Sequence, residues 1–223
     1  MVIKVSIKEL KEREKEQRRQ YILDAAEKLF ASKGGYDNVT MKDIADEVGL
    51  NKSTLYLYFK NKEALYSHLM LRVMKIVYTV VKDHMESNRT GMEKIETTGN
   101  IVLGFIQKHS DMVEQSRSQH PKELDLEYMA ENEAAKEIGM ISVGLFEITC
   151  NTIKAGIADG SIRPDLNPVG AAAILLLIDN SIMNMDPNIK NMIESHGIDY
   201  PEFIREISDF KRHMLMNKEE KKE

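Results

Sequence analysis

The chain of 223 residues is 42% hydrophobic and 30% charged, enough apolar material for a core of one or two domains and no sign of a disordered chain. A single cysteine, Cys150, excludes an intrachain disulfide. The charged first twenty residues lack the apolar stretch of a signal peptide, and the longest apolar run, residues 171–178, is far short of the roughly 20 residues a membrane span needs. A cytoplasmic protein with no membrane partner is expected.

The net charge of −5 conceals an asymmetry. Residues 1–62 hold 13 Lys and Arg against 10 Asp and Glu, whereas the remainder holds 18 against 26. A basic head on an acidic body is the pattern of a protein that touches a polyanion with its head only.

Apolar residues recur at three and four spacings almost everywhere and strand alternation is nearly absent, so the fold is expected to be all-α. The opening segment "KELKEREKEQRR" alternates charges and reads as an exposed helix extension with ion pairs, or else as an arm placing Arg18 and Arg19 in a minor groove. Ile22, Ala25, Ala26, Leu29 and Phe30 form the apolar stripe of helix one, which Gly34 and Gly35 stop. Thr40 caps a short second helix, with Asp43 as the capping-box acid and Gly49 as its end. Asn51 caps a third helix through Phe59. Asn61 caps a long fourth, with Leu65, Leu69, Val73, Ile76, Val80 and Val81 on its apolar side.

Beyond residue 88, a helix is expected from about Met92 to His109, and two more between 122 and 158. Another should begin at Pro168 and run to about Met183. Pro187 and Gly197 bracket an irregular or partly helical connector, and a last helix covers about Tyr200 to Asn217. The helix from Ala171 is apolar nearly all round, which calls for a second partner beyond the monomer core. Ala172, Leu175 and Leu176, with Ile207, Phe210 and Met214 of the last helix, are the candidates for a two-fold dimer interface. Burial inside the monomer is the competing reading.

Helices two and three decide the function. Ile44, Ala45, Val48, Leu50 and Leu55 have the spacing of a helix-turn-helix, with glycine at the left-handed turn. That frees a face of helix three bearing Lys52, Ser53, Thr54, Tyr56 and Leu57, whose ammonium and hydroxyl groups suit phosphates and base edges and whose leucine suits a thymine methyl. Leu55 and Phe59 point to the core. Tyr58 either contacts DNA or packs on helix one. Lys62, a cation in the first turn of helix four, is unfavourable to the dipole there unless a phosphate meets it.

The run "TMKDIADEVGLNKSTLYLYFKNKEAL", residues 40–65, resembles the DNA-binding domain of the TetR family of transcriptional repressors, and the likeness covers residues 18–66. The resemblance implies an N-terminal three-helix head over residues 1–62, joined by helix four to a helical effector-binding and dimerisation domain over 63–223. It also implies a homodimer on double-stranded DNA bearing a palindromic operator, and a small-molecule effector. Carried over by position, Thr40 resembles the family's phosphate-binding cap, Lys52, Ser53 and Thr54 its groove-facing start of helix three, and Tyr56, Tyr58 and Lys62 its phosphate contacts. The doubled glycine at 34 and 35 and the long arm before Arg18 depart from the pattern.

For the effector pocket the sequence offers materials only. Met70, Met74, Met112 and Met140, with Met129, are soft apolar candidates. Phe105, Leu145, Phe146 and Ile148 lie on helices that line the pocket in the resembling family, and Glu127, Glu131 and Glu147 would attract a cation if buried. The six histidines show no metal-ligand spacing and Cys150 has no local histidine. No metal, cofactor or catalytic activity is expected. A ligand-responsive repressor is therefore the leading reading, with an architectural DNA-binding protein as the alternative and an enzyme carrying a vestigial head as the weakest.

Overall fold

The computed structural model describes residues 6–108, 132–183 and 185–217, with backbone alone for 105–108 and 183. Among them the helices are α1 (Ile7–Ser32), α2 (Met41–Glu47), α3 (Lys52–Tyr56), α4 (Lys62–Met85), α5 (Gly91–Lys108), α6 (Glu133–Ala158), α7 (Pro168–Met183), α8 (Pro187–Ser195) and α9 (Tyr200–Leu215). The only strand-like pairing in the described residues is an isolated bridge between Ile162 and Met216. The chain divides into two units, residues 1–73 with 115–137, and 74–114 with 138–223. The division falls within α4.

In the first unit, Ile22, Leu23, Ala25, Ala26 and Phe30 of α1 are buried, as are Ile44, Ala45, Leu55, Leu65 and Leu69. Phe30, Tyr36 and Tyr66 pack as an aromatic trio, with centroids 5.2 to 6.1 Å apart. Offset and edge-on rings of this kind add to burial because each ring's positive edge meets another's negative face. Helix α1 closes as its glycines require. Gly34 takes φ +68°, and the Gly35 N–H donates to the Phe30 carbonyl.

Two elements differ from the sequence expectation. Helix α3 ends at Tyr56, although the Phe59 N–H still donates to the Leu55 carbonyl, so the turn through Phe59 remains wound. On α4 the buried side runs Leu65, Leu69, Val73, Val77 and Val81, whereas Ile76 and Val80 are exposed. Each four-residue step drifts about 40° round a helix of 3.6 residues per turn, so the buried line from Leu65 to Val81 moves round α4 and leaves Ile76 and Val80 uncovered on its trailing side. Although α4 is long and apolar enough to cross a membrane by length and composition, Leu65, Tyr66 and Leu69 are almost wholly enclosed in the head core.

In the second unit, Met92, Cys150, Ile153, Ile162, Ala171, Ala172, Leu175 and Leu215 form one core cluster, and Leu103, Ile182 and Ile204 a second. Two glycines set how closely α5 approaches α6. A Cβ on Gly91 would lie 2.3 Å from the Gly156 Cα, and one on Gly156 would lie 2.5 Å from the Ile162 Cδ1. The α5 N-terminus is then satisfied by the turn after α6, its Gly91 N–H donating to Asp159 and its Met92 N–H to Ser161.

Four of the six residues expected at a dimer interface pack within their own chain. Ala172 and Leu175 lie in the core of their own chain, and Ile207 and Met214 pack half-buried against the same clusters. The reason is angular: α7 turns 171, 172, 175 and 182 inward, leaving Val169, Ile174, Leu176 and Leu177 exposed on the other side. Phe210 of α9 is likewise 65% exposed. Lys211 pairs with Asp179, tying α9 to α7. The connector contains α8, with Asp186 as its cap, which is the partly helical form of the two expected.

Candidate nucleic-acid interface

Helix α2 is set by a reciprocal cap. The Thr40 hydroxyl accepts from the Asp43 N–H, and the Asp43 carboxylate accepts from the Thr40 N–H and hydroxyl. Lys33 bonds the same carboxylate, and this bond, followed by those from Thr40, holds Asp43 well below the usual carboxylate range. Thr40, expected as a phosphate contact, thus has its hydroxyl engaged in the cap while remaining exposed.

The turn follows from Gly49 at φ +67° and from the Leu50 N–H donating to the Ala45 carbonyl. Asn51 then starts α3, its side-chain oxygen accepting from the Thr54 N–H and from the hydroxyls of both Ser53 and Thr54. The two hydroxyls expected to read DNA are therefore turned back onto the cap, leaving their oxygen lone pairs outward-capable. Asn51 organises this end of the helix, a role that its cap position alone had not suggested.

The two faces of α3 are sharply divided. Leu55 and Phe59 are 0% and 2% exposed, whereas Leu57 is 79% exposed, the most open of the exposed large hydrophobic side chains. Beside it Lys52, Ser53 and Tyr56 are exposed, and the Lys52 ammonium lies 5.8 Å from the centre of the Tyr56 ring. Thr54 and Tyr58 are half-buried. An exposed leucine beside a cation and a tyrosine is apt for a major groove, where apolar contact and phosphate bonding occur together.

Lys62 has a different environment from the expected phosphate clamp. Its ammonium donates to the carbonyls of Tyr36 (3.0 Å) and Val39 (2.9 Å) and lies 3.9 Å from the Tyr36 ring centre. Burial pulls its pKa below the ordinary lysine value, opposed by the nearby Asp37. It fastens the start of α4 to the turn that leads into the Thr40 cap. Farther along α4, His68 donates from Nδ1 to the Ala64 carbonyl and accepts at Nε2 from Arg19, and its ring meets Phe59 edge-on at 5.4 Å. Burial lowers the His68 pKa. Arg72 pairs with Asp24 and Glu27 of α1, and Ser67 accepts from the buried Asn132 side chain, which caps the first turn of α6. The bonds of Lys62, Arg19, Arg72 and Ser67 were invisible in the sequence because each joins residues 23 or more positions apart.

The pocket candidates are scattered. Met70, Met74, Leu145, Phe146 and Ile148 are half-buried, with Phe146 against the core cluster of the second unit, while Met140 and Glu147 are exposed. Met112, Met129, Glu127, Glu131 and the Phe105 side chain lie outside the described residues. A groove of about 660 Å³ does open between α5 and α9, floored by Met92, Ile95, Leu103 and Ile204 and rimmed by Glu96, Arg205 and Arg212. None of the candidates among the described residues lines it. Among the described residues no cluster of three or more potential metal ligands occurs.

Residues 22–69 match the family model for bacterial regulatory proteins of the tetR family. The transcriptional repressor KstR2 of Rhodococcus jostii (strain RHA1) is 25% identical over 154 residues, 67% of this chain and 70% of that protein. A transcriptional regulator of the TetR/AcrR family from Thermobifida fusca YX-ER1 superposes with a TM-score of 0.68 at 22% identity, covering 88% of this chain and 97% of the other. The regulator FadR of Bacillus subtilis, in complex with stearoyl-CoA, superposes with a TM-score of 0.61 at 20% identity over 88% and 96%. At these identities the two structures establish the fold, an N-terminal helix-turn-helix followed by a helical domain.

Proposed function

We propose that this chain, whose residues 22–69 carry a TetR-family helix-turn-helix domain, is a cytoplasmic homodimeric repressor that binds a palindromic operator and leaves it on binding a small-molecule effector. The observation that carries the DNA-binding reading is the division of α3: Leu57 open at 79%, among exposed Lys52, Ser53 and Tyr56, and Leu55 and Phe59 sealed behind it. Inserted in a major groove, Leu57 meets a thymine methyl, Lys52 and Tyr56 take phosphates, and Ser53 and Thr54 offer lone pairs to base amino groups. Lys62 positions the helices instead of clamping the backbone.

For the dimer, the supporting feature is the exposed side of α7, Val169, Ile174, Leu176 and Leu177, with Phe210 of α9. A second copy covers such a side with the same side, because a two-fold axis makes an interface self-complementary. Two heads then address half-sites about one helical turn apart. Release requires that the effector bind better to a conformer whose heads are misplaced, and affinity falls by that differential binding. Helix α4 starts in the first unit and ends in the second, so it is the covalent route for such a change. FadR with its acyl-CoA and KstR2 as a repressor show what related chains do. By analogy, an apolar or amphipathic effector is proposed here, and a groove of about 660 Å³ is of ligand size.

Fluorescence anisotropy with overlapping duplexes from upstream of the protein's own gene, against random competitor DNA, tests this reading. One fragment should saturate far more tightly than random sequence, with a stoichiometry of one dimer. Equal binding to all fragments means an architectural protein, and the repressor reading is then wrong. Leu177→Glu should yield monomers in size-exclusion chromatography with light scattering; a dimer retained at micromolar concentration refutes the α7 interface.

A further inference from the structure

The operator contact above leaves unused the first twelve residues of α1. Residues 7–18 are exposed throughout, well before the first core residue, Ile22. They are helical because Ser6 and Glu9 form a full capping box and no glycine or proline interrupts the run. Lys8, Lys11, Lys15 and Arg18 recur at spacings of three, four and three, which lays them along one stripe of the helix. Glu9, Glu12 and Glu16 recur on another, with Glu14 at the margin beside Arg18 and Arg13 beyond the acidic stripe. None of the four stripe cations makes a hydrogen bond, ion pair or ring contact among the described residues.

The stripe has a definite direction. Arg19, four residues after Lys15 and eleven after Lys8, is in line with it, and its guanidinium lies 5.0 Å from the Phe59 ring centre, three residues past the end of α3. The extension therefore leaves the head beside the C-terminal end of the recognition helix, with its basic side continuing the side on which Arg19 meets Phe59. At 1.5 Å per residue the twelve residues reach about 18 Å, the span of about five phosphates at 3.4 Å per strand. A helix about 10 Å across cannot enter a minor groove about 6 Å wide, and Arg19 is already committed to His68. As a helix, the extension fits along the backbone better than within the minor groove.

We propose that the α1 extension is a second DNA contact, in which Lys8, Lys11, Lys15 and Arg18 neutralise backbone phosphates flanking those reached from α3 and carry no base specificity. The inference rests on the DNA-binding reading above. Because it is sequence-independent, it can be tested on a random 30-base-pair duplex by measuring log K against log salt for the full-length chain. Lys8→Gln/Lys11→Gln/Lys15→Gln removes three cations and keeps good helix formers. It should flatten the slope by up to about 2.7 per protomer, at about 0.9 per contact, while Glu9→Gln/Glu12→Gln/Glu16→Gln, on the other stripe, should leave it unflattened. A lysine variant whose slope changes by less than one unit overturns the proposal and leaves a solvated helix; equal flattening in both variants overturns it as well. If the wild-type chain binds no duplex at all, the DNA-binding reading itself fails and this inference with it. If the variant still prefers its upstream fragment but the slope is unchanged, only this inference falls.

Discussion

Replacing Lys62 by methionine separates two roles that the sequence left superposed. Methionine keeps most of the apolar stem and deletes the ammonium that donates to the Tyr36 and Val39 carbonyls. Hydrogen bonds from a charged donor are worth about 1.5–3 kcal/mol each in mutational series. Lys62 is only half-buried and its own desolvation already pulls its pKa down, so the two bonds together should be discounted to a loss of about 2 kcal/mol. In urea melts followed by circular dichroism, the transition reporting the head should move to lower denaturant with the same slope. The salt dependence of DNA binding should be unchanged, because no phosphate contact is removed. A phosphate clamp predicts the reverse, a slope lowered by about 0.9 with stability intact. Finding that pattern would mean the ammonium abandons its carbonyls on DNA, and the positioning role would be refuted.

Three further outcomes can be checked. Gly91→Ala and Gly156→Ala should each destabilise the second unit by about 2 kcal/mol or more through overpacking, whereas Gly99→Ala, whose new Cβ would meet nothing within 4 Å, should stabilise it by about 0.5–1 kcal/mol; thermal melts that rank the three otherwise would refute the close approach of α5 to α6. The His68 pKa is lowered mainly by burial and also by Arg19, against the Ala64 carbonyl, Glu16 and Glu133. The unfolded chain therefore binds a proton more readily, and stability should fall as pH drops below about 6.5, levelling off only below the folded value. Urea midpoints from pH 7.5 to 5 should show this loss and His68→Gln should flatten it; an equal slope in both proteins would exclude His68 as its source. Asn51→Ala should cost about 1 kcal/mol as a lost cap and also weaken operator binding, because Ser53 and Thr54 lose the oxygen that orients them; undiminished affinity would show that DNA binding does not depend on that orientation.

The local signals were legible where short spacing carries the physics. Capping by Thr40, Asn51 and Asn61, the left-handed glycines at 34 and 49, and the inward turn of Leu55 and Phe59 all depend on neighbours within a few residues. So does the start of α7 at Pro168, and the sequence placed these correctly. The motif of residues 40–65 also sufficed to identify the TetR-like head. Lys62 illustrates what was not legible. Its position in a first turn beside aromatics fits a phosphate clamp and an internal staple equally, and only the approach of the Tyr36–Val39 turn, more than twenty residues away, distinguishes them. Ala172 and Leu175 make the same point for the body. In a helix apolar nearly all round, hydrophobicity says that two sides must be covered but not which is covered by the chain itself. That depends on where Cys150, Ile153, Ile162 and Leu215 arrive in space. Sequence periodicity is set by covalent spacing along one helix, while the choice of facing partner is set by packing between helices, so the first could be read from the residues and the second only from the tertiary structure.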